Sequence, residues 1–244
     1  MITASKGINI GKTKSDDVDF LEISRHRKQV EFINIASHEM KAPLHTILTF
    51  SELLQKDPSK STVYVEPILR NAKRLQRLSR NLLDLSRIEN QSIRLNKESF
   101  DLTELISTIC DDMTKSIDEN YHNIAIMKPS KPVLITADKE RITQVICNLL
   151  GNAIKFTANG IISITAEKQV RKNTITVSVM DSGLGINPAI ESALFSKFVS
   201  TSHDGLGLGL FIAKSIVEAH GGRIWAQNNV DENGATFSFT LPLI

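Results

Sequence analysis

The stretch FINIASHEMKAPL, residues 32–44, decides how the opening part of the chain is read. Ile33, Ala36, Met40, Leu44 and Ile47 recur at steps of three and four, so they share one face of a helix. At about 100° per residue, His38 stands roughly 140–160° round from Ile33 and Met40, on the face turned to solvent. Glu39 sits beside it and Pro43 follows one turn on. Proline has no N–H, so the carbonyl of Glu39 loses its helical partner and the helix is loosened there. An exposed histidine next to a carboxylate on a bendable turn is a candidate for covalent chemistry. The plain alternative is a solvated histidine without a role.

The chain has 244 residues, enough for two modest domains each with its own core. A formal charge of +2 is close to balance and argues against a nucleic-acid surface or a polybasic membrane anchor. Cys110 and Cys147 are the two cysteines, each in an apolar-periodic segment and in neither a zinc nor a disulfide spacing. They read as small buried residues of a protein in a reducing compartment. No apolar run approaches the roughly 18–20 residues that span a bilayer, and no signal-peptide core is visible. The expected setting is cytoplasmic, either as a free protein or as the cytoplasmic part of a longer, membrane-bound chain.

Residues 1–18 mix Gly, Ser, Lys and Asp and read as a flexible tail. From about Asp19 to Asp57 the pattern is helical, and it ends at the turn cluster Lys56-Asp57-Pro58-Ser59. A second helix runs to about Glu89, with Pro67 in its first turns. Its stripe is Ile68, Ala72, Leu75, Leu78, Leu82, Leu85 and Ile88, with Arg70, Lys73, Arg74, Arg77, Arg80 and Arg87 mostly off it. Residues 19–92 therefore form a helical hairpin with an apolar seam on each arm. Each Leu or Ile left in water forgoes about 1.5–3 kcal/mol of burial. Two hairpins pairing as a four-helix bundle would cover the seams, so a homodimer is expected; docking the seam elsewhere on the same chain is the alternative.

Residues 91–100 read as a polar connector. A second domain follows over 97–244, an α/β sandwich with helices on one sheet face. Its elements are a helix from the capping box at Asp101–Glu104 to Asp118, strands at Asn123–Met127 and Val133–Thr136, and a helix at Lys139–Phe156. Strands Ile161–Val170 and Thr174–Met180 form a hairpin around Arg171–Asn173. Helices at Pro188–Phe198 and from Gly209 to the stop at Gly221-Gly222 precede closing strands Arg223–Asn228 and Ala235–Leu241, joined by the turn Asp231–Gly234.

Three clusters in this domain suit a nucleotide. Asn148, Asn152 and Lys155 lie at i, i+4 and i+7 on one helical face. Two carboxamides and an ammonium suit a metal–polyphosphate pair, since an amide oxygen is a hard ligand for Mg²⁺; a solvated helix face is the alternative. Asp181-Ser-Gly183-Leu-Gly185-Ile186 follows a β run, where Asp181 could accept a hydrogen bond from an exocyclic amine such as adenine's. It could equally be an ordinary turn. Gly205-Leu206-Gly207-Leu208-Gly209 enters a helix, whose N-terminal N–H groups favour phosphate. It lacks the GK[ST] ending of a P-loop, and no long β run leads into it as in a Rossmann motif. These glycines make Val199–Asp204 a candidate lid.

Taken together, SHEMKAPL, NLLGNAIKF, DSGLGI, FSKF and GLGLGL resemble the H, N, first glycine, F and second glycine boxes of the sensor histidine kinases of two-component signalling. The likeness covers about residues 28–244. It implies that His38 is the phosphoacceptor and Glu39 the base that orients it and withdraws its proton. It also implies that Asn148 is the Mg²⁺ ligand, with Asn152 and Lys155 on the phosphates and Phe156 in the same box. Asp181 would bind the adenine amine, with Gly183, Gly185 and Ile186 shaping that pocket. Gly205, Leu206, Gly207, Leu208 and Gly209 would form the lid hinge and phosphate-facing turn, and Lys197 the basic position of the F box. The implied fold for 97–244 is a Bergerat-type ATP-binding sandwich. The implied reaction is phosphoryl transfer from Mg-ATP to His38 and then to an aspartate on a response regulator receiver domain. Ala42 departs from the pattern, standing where many relatives carry the Thr or Asn linked to dephosphorylating the partner. Lys41 and Lys197 stand where Arg is commoner, and Leu206 where Thr or Ser is frequent. Two other readings use the same pocket. A non-catalytic dimerising relative should tolerate loss of His38, Glu39, Asn148 and Asp181. An ATPase of the gyrase or chaperone kind leaves residues 28–90 without a purpose.

Overall fold

The computed structural model describes residues 14–90, 92–115, 123–199, 206–230 and 233–243, with side chains from residue 34 onward. The chain divides into two compact units that meet between Gln76 and Arg77. That division falls within the second arm of the helical hairpin.

The first arm, α1, is Lys14–Lys56, with Pro43 inside it. It begins earlier than the sequence pattern suggests, so the end of the expected tail is helical. A 3₁₀ turn at Pro58–Lys60 leads into α2, Ser61–Glu89. Pro67 lies in the second turn of α2, where its own carbonyl accepts a hydrogen bond from the Asn71 amide at 2.9 Å. Within the first unit the arms meet through the Phe50 and Tyr64 rings, centroids 6.0 Å apart, and through Arg74 and Glu39. Part of the apolar surface is open: Met40 and Leu44 on the seam are exposed, as are Leu48, Val63 and Leu69 off it, Leu48 by 54%, whereas Leu78 and Leu85 are buried.

In the second unit, β1 (Glu98–Asp101) pairs antiparallel with β3 (Leu134–Ala137). The sequence pattern gives β1 as connector. Its residues Glu98, Ser99 and Asp101 are polar, and only Phe100 turns into the core. Asp101 caps α3 (Leu102–Thr114), its carboxylate accepting the N–H groups of Thr103 and Glu104, and of Val133 across the turn. α3 ends before the expected Asp118, a position outside the described residues.

The main sheet has five strands in the order β2-β4-β5-β7-β6: Asn123–Met127, Asn159–Gln169, Thr174–Asp181, Ala235–Pro242 and Ile224–Asn228. β2 runs parallel to β4 and the other pairs are antiparallel. Alternation places Ile162, Ile164, Ile175, Val177, Val179, Phe237 and Phe239 on one face. α3, α4 (Lys139–Phe156) and α6 (Gly209–Ala219) supply Ile106, Ile142, Val145, Ile146, Leu149, Ile212 and Ile216 to the same core. Each of these helices shows its buried residues at three- and four-residue steps. Cys110 is fully buried, which pushes its thiol up to about 11, and burial raises Cys147 as well.

The helix expected at 188–198 is only one turn long, α5 at Pro188–Glu191. Asn187 caps it, its side-chain oxygen accepting the Ala189 N–H at 2.9 Å. Beyond it the bonds step back three residues, as in Ala193 N–H to Ile190 and Ser196 N–H to Ala193, and Phe198 adopts φ of 64°. The chain there is a run of tight turns ending in a left-handed residue, which no helix can continue through.

One ion pair ties the end of α2 into the second unit. Asp84 is buried, and its two oxygens accept from the Arg141 guanidinium at 2.7 Å and the Gln144 amide at 2.6 Å. Removing one partner of a buried pair strands the other's charge. Asp84→Ala should therefore lower the unfolding free energy by about 3 kcal/mol in denaturant titration. A loss below about 1 kcal/mol would mean the pair behaves as a solvated one.

Candidate functional site

The candidate residues divide between the two units. His38 lies in the first and is exposed, as its helical phase requires. Glu39 beside it is half-buried, and its carboxylate accepts from the Arg74 guanidinium at 3.2 Å. Arg74 is one of the cations that the sequence places off the apolar stripe. Its partnership with Glu39 depends on which residues of two separate helices face each other, and no spacing within one helix reveals that. One turn on, the Thr46 hydroxyl donates to the Ala42 carbonyl at 3.0 Å.

In the second unit, α4 buries Ile142, Val145, Ile146, Leu149, Leu150 and Ala153. Asn152, Asn148 and Lys155 lie roughly 90°, 130° and 150° round from the centre of that stripe, progressively farther from the buried face. Asn148 and Asn152 are accordingly half-buried and Lys155 exposed, with the Lys155 ammonium 5.6 Å from the centre of the Phe156 ring. The Asn148 amide nitrogen donates to the Gly209 carbonyl at 3.0 Å, and no protein group among the described residues donates to its amide oxygen.

Asp181 continues the inward-facing series Ile175, Val177 and Val179 at steps of two, so β5 delivers a carboxylate to the buried side of the sheet. It is 4% exposed. Its Oδ1 accepts the N–H groups of Gly183 at 2.9 Å and Ala235 at 3.3 Å. Burial raises its pKa above the ordinary carboxylate value, and these two hydrogen bonds oppose the rise. No protein group among the described residues donates to Oδ2, so that oxygen is the free acceptor.

The turn after Asp181 admits no side chain where it crosses the end of α4. A Cβ on Gly183 would fall 2.3 Å from the Phe156 carbonyl oxygen. Gly185 has φ of 76°, and Ile186 is buried with its N–H donated to Asn228 at 2.6 Å. Asn228 returns its own amide to the Ile186 carbonyl at 3.1 Å, and Asn229 donates to the Asp181 carbonyl at 2.9 Å. These two asparagines brace the first glycine turn from the end of β6. In sequence Asn228 reads only as the last residue of a closing strand, with Asn229 just beyond it, since the register that brings them to residues 181–186 belongs to the sheet.

Leu206 and Leu208 are buried, so their side chains face the core and only backbone atoms are left to face a ligand. Gly207 has φ of 63° and passes against Phe198 and Val199. Its carbonyl accepts the Phe198 N–H at 3.1 Å, which fixes where the segment leaving residue 199 re-enters at 206. Gly205 and most of the candidate lid lie outside the described residues. Lys197 is held by the Glu89 carboxylate at 2.5 Å and sits 5.1 Å from the centre of the Phe211 ring. A contact between Lys197 and a nucleotide would compete with that ion pair. Among the described residues no cluster of His, Cys, Asp and Glu could hold a metal ion; the oxygen donor of the candidate site is an amide.

Two family models match, in the order the boxes require. The His Kinase A (phospho-acceptor) domain covers residues 28–91, and the histidine kinase-, DNA gyrase B- and HSP90-like ATPase covers 137–244. Hybrid signal transduction histidine kinase C of Dictyostelium discoideum is 31% identical over 240 residues, 91% of this chain and 20% of that protein. Sensor histidine kinase WalK of Bacillus subtilis is 30% identical over 225 residues, 87% of this chain and 36% of that protein. The chain thus spans well under half the length of these curated relatives. Among solved structures, full-length ShkA in complex with AMPPNP has a TM-score of 0.66 at 28% identity, over 87% of this chain and 46% of that one. The catalytic domain of histidine kinase ThkA has a TM-score of 0.54 at 34% identity, over 62% of this chain and 97% of that one. ThkA in complex with the response regulator TrrA has a TM-score of 0.62 at 29% identity, over 93% of this chain and 66% of that one. With an acceptor-type hairpin, a Bergerat-type sandwich and five boxes in sequence order, the chain belongs to the sensor histidine kinases of two-component signalling.

Proposed function

We propose that the chain transfers the γ-phosphoryl group of ATP to His38 and passes it to an aspartate on a response regulator receiver domain. The observation that carries this reading is the pairing of an exposed His38–Glu39 on one unit with a buried, half-satisfied Asp181 on the other. The nucleotide pocket supplies a donor to the histidine, and the histidine gives the pocket an acceptor. The AMPPNP complex of ShkA and the regulator complex of ThkA support the nucleotide and partner classes by analogy.

In this reading Asp181 Oδ2 accepts the exocyclic amine of adenine, and Gly183, Gly185 and Ile186 let the base lie against backbone. Asn152 and Lys155 face the phosphates, and the 206–209 turn presents backbone N–H groups at the start of α6. The Asn148 carboxamide fits Mg²⁺, because its nitrogen is spent on Gly209 and no described group donates to its oxygen. Bound there, Mg²⁺ would neutralise charge on the triphosphate. A neutral His38 nitrogen attacks the γ-phosphorus, the bond to the β–γ bridging oxygen breaks, and ADP leaves with that electron pair. Glu39, oriented by Arg74, takes the proton lost by the imidazole. His38 is the sole acceptor in this scheme, and dephosphorylation of the partner through Ala42 is no part of it.

The exposed Met40 and Leu44 on the seam, with Leu48, Val63 and Leu69 off it, support a homodimer, since pairing would bury side chains worth about 1.5–3 kcal/mol each. Among the described residues no helix is long and apolar enough to cross a membrane.

Incubation with γ-labelled ATP and Mg²⁺ should give acid-labile label on wild type and none on His38→Ala or Asn148→Asp. Label that survives His38→Ala, or none on wild type, would sink the assignment.

Asp181→Asn separates pocket function from stability. A raised carboxyl pKa favours the protonated form in the folded state. Its contribution to stability is therefore full below the unfolded pKa and is lost as pH rises through the folded value. Asparagine keeps the two N–H bonds through its oxygen and does not ionise. The variant should gain stability relative to wild type as pH rises from acid to neutral, read by denaturant titration. Its NH₂ would meet the adenine amine donor to donor, weakening ATP binding about tenfold or more, as for loss of a 1.5–3 kcal/mol charged hydrogen bond. Wild-type affinity in the variant would remove Asp181 from the adenine site.

A further inference from the structure

His220 has no part in the chemistry above, yet it is buried and both of its ring nitrogens are engaged. It continues the inward stripe of α6, one turn past Ile216 and Val217, so helical phase turns it to the core. Gly221, at φ of 78°, ends the helix, and the Gly222 N–H returns to the Val217 carbonyl at 2.9 Å, which fixes the backbone beneath the ring. Nδ1 lies 2.8 Å from the Ile216 carbonyl, which can only accept. Nε2 lies 3.1 Å from the Asp138 N–H, which can only donate. The two partners together demand the neutral imidazole with its proton on Nδ1.

Asp138 is the N-cap of α4, and its remaining polar atoms are also taken. Its carboxylate accepts the N–H groups of Arg141 at 3.0 Å and Asn96 at 2.9 Å, and its carbonyl that of Ile142 at 2.9 Å. The Asp138 carboxylate and Lys97 are the charged groups that act on His220, and burial, the larger influence, holds its pKa below the ordinary value.

At the start of α6, Asn148 from the middle of α4 donates to the Gly209 carbonyl. The helices are thus antiparallel and joined by two polar rungs. From Asp138 to Asn148 is roughly 15 Å of helix and from Gly209 to His220 roughly 16.5 Å, at 1.5 Å per residue. The spans match. Between the rungs the buried residues are Ile142, Val145 and Ile146 of α4 and Ile212, Ala213, Ile216 and Val217 of α6, apolar groups that attract without fixing an axial position. The hydrogen bonds are the directional part.

We infer that His220 is a positioning residue for the nucleotide site. Through the Asp138 N–H it sets the axial register of α4 on α6, and so the placement of the Asn148 carboxamide relative to the 206–209 turn. This rests on the proposed Mg-nucleotide role of Asn148 and that turn. The two rungs act in series: the far rung holds the register in which the near rung can form, and the near rung aims the amide oxygen.

The test compares two polar replacements in the full chain. His220→Asn can still reach the Ile216 carbonyl of its own helix but is too short for the Asp138 N–H. His220→Gln places an oxygen where Nε2 stood. Binding of a non-hydrolysable ATP analogue is measured against Mg²⁺ concentration, alongside adenosine binding and thermal unfolding. The Asn variant should need about tenfold more Mg²⁺ for half-saturation, with adenosine affinity within about twofold of wild type, and the Gln variant should lie within about threefold of wild type. A merely structural role would lower the melting temperature and the active fraction without moving either constant. That outcome overturns the inference. So do a Gln variant no better than Asn, and an Asn variant that does not fold, since a register clasp is dispensable for folding. If wild type shows no Mg²⁺-dependent binding of the analogue, the functional reading fails and this inference fails with it. Wild-type binding with unchanged variants overturns the inference alone.

Discussion

The burial of one sheet face under α4 and α6 is the constraint on which the second unit depends. The alternating residues of β4, β5 and β7 are covered by these two helices together with α3, and the helices bury their own stripes in return. The site is a product of the same packing. Asp181 is buried because it falls in phase with Ile175, Val177 and Val179, and Asn148 and Asn152 are half-buried because they stand off the α4 stripe. The polar groups of the pocket therefore sit where buried periodic positions run out at the ends of strands and helices. Charge buried in this way is costly unless hydrogen-bonded. The two N–H groups on Asp181 Oδ1 offset part of that cost and leave the second oxygen free.

Two features of the pocket follow from close backbone approach. The crossing of the Gly183 turn over the end of α4, and of Gly207 past Phe198, leave no room for a Cβ. Glycine there is a consequence of geometry as much as of ligand binding. The segment that leaves residue 199 and returns at 206 is held at its base by Phe198 and Gly207, whatever it does between them.

Much of this was legible in the sequence, and what was missed has a common physical cause. Helix and strand phase are local, so α2, α4, α6, β4, β5 and β7 can be read from periodicity within one segment. The exposure of His38 and the face shared by Asn148, Asn152 and Lys155 follow from phase in the same way. β1 was hidden because a four-residue strand with one buried residue has no alternation to display. The supposed helix at 188–198 failed because its apolar residues fit turns as well as they fit a helix. The partnerships Glu39–Arg74, Asp84–Arg141, Lys197–Glu89 and His220–Asp138 join residues far apart in sequence. Each depends on register between elements, and composition and spacing carry no register.

The position of β7 has a consequence for biosynthesis. It is the last strand of the sheet in chain order, yet it lies between β5 and β6, with partners on both sides. A ribosome delivers His38 and its hairpin long before Ala235. Until β7 arrives, β5 and β6 present open edges that another chain could pair with. In that interval Asp181 also lacks the Ala235 N–H. A nascent molecule would thus hold the complete helix of His38 while the turn after Asp181 is still unbraced, and that turn is completed only when translation has passed β7.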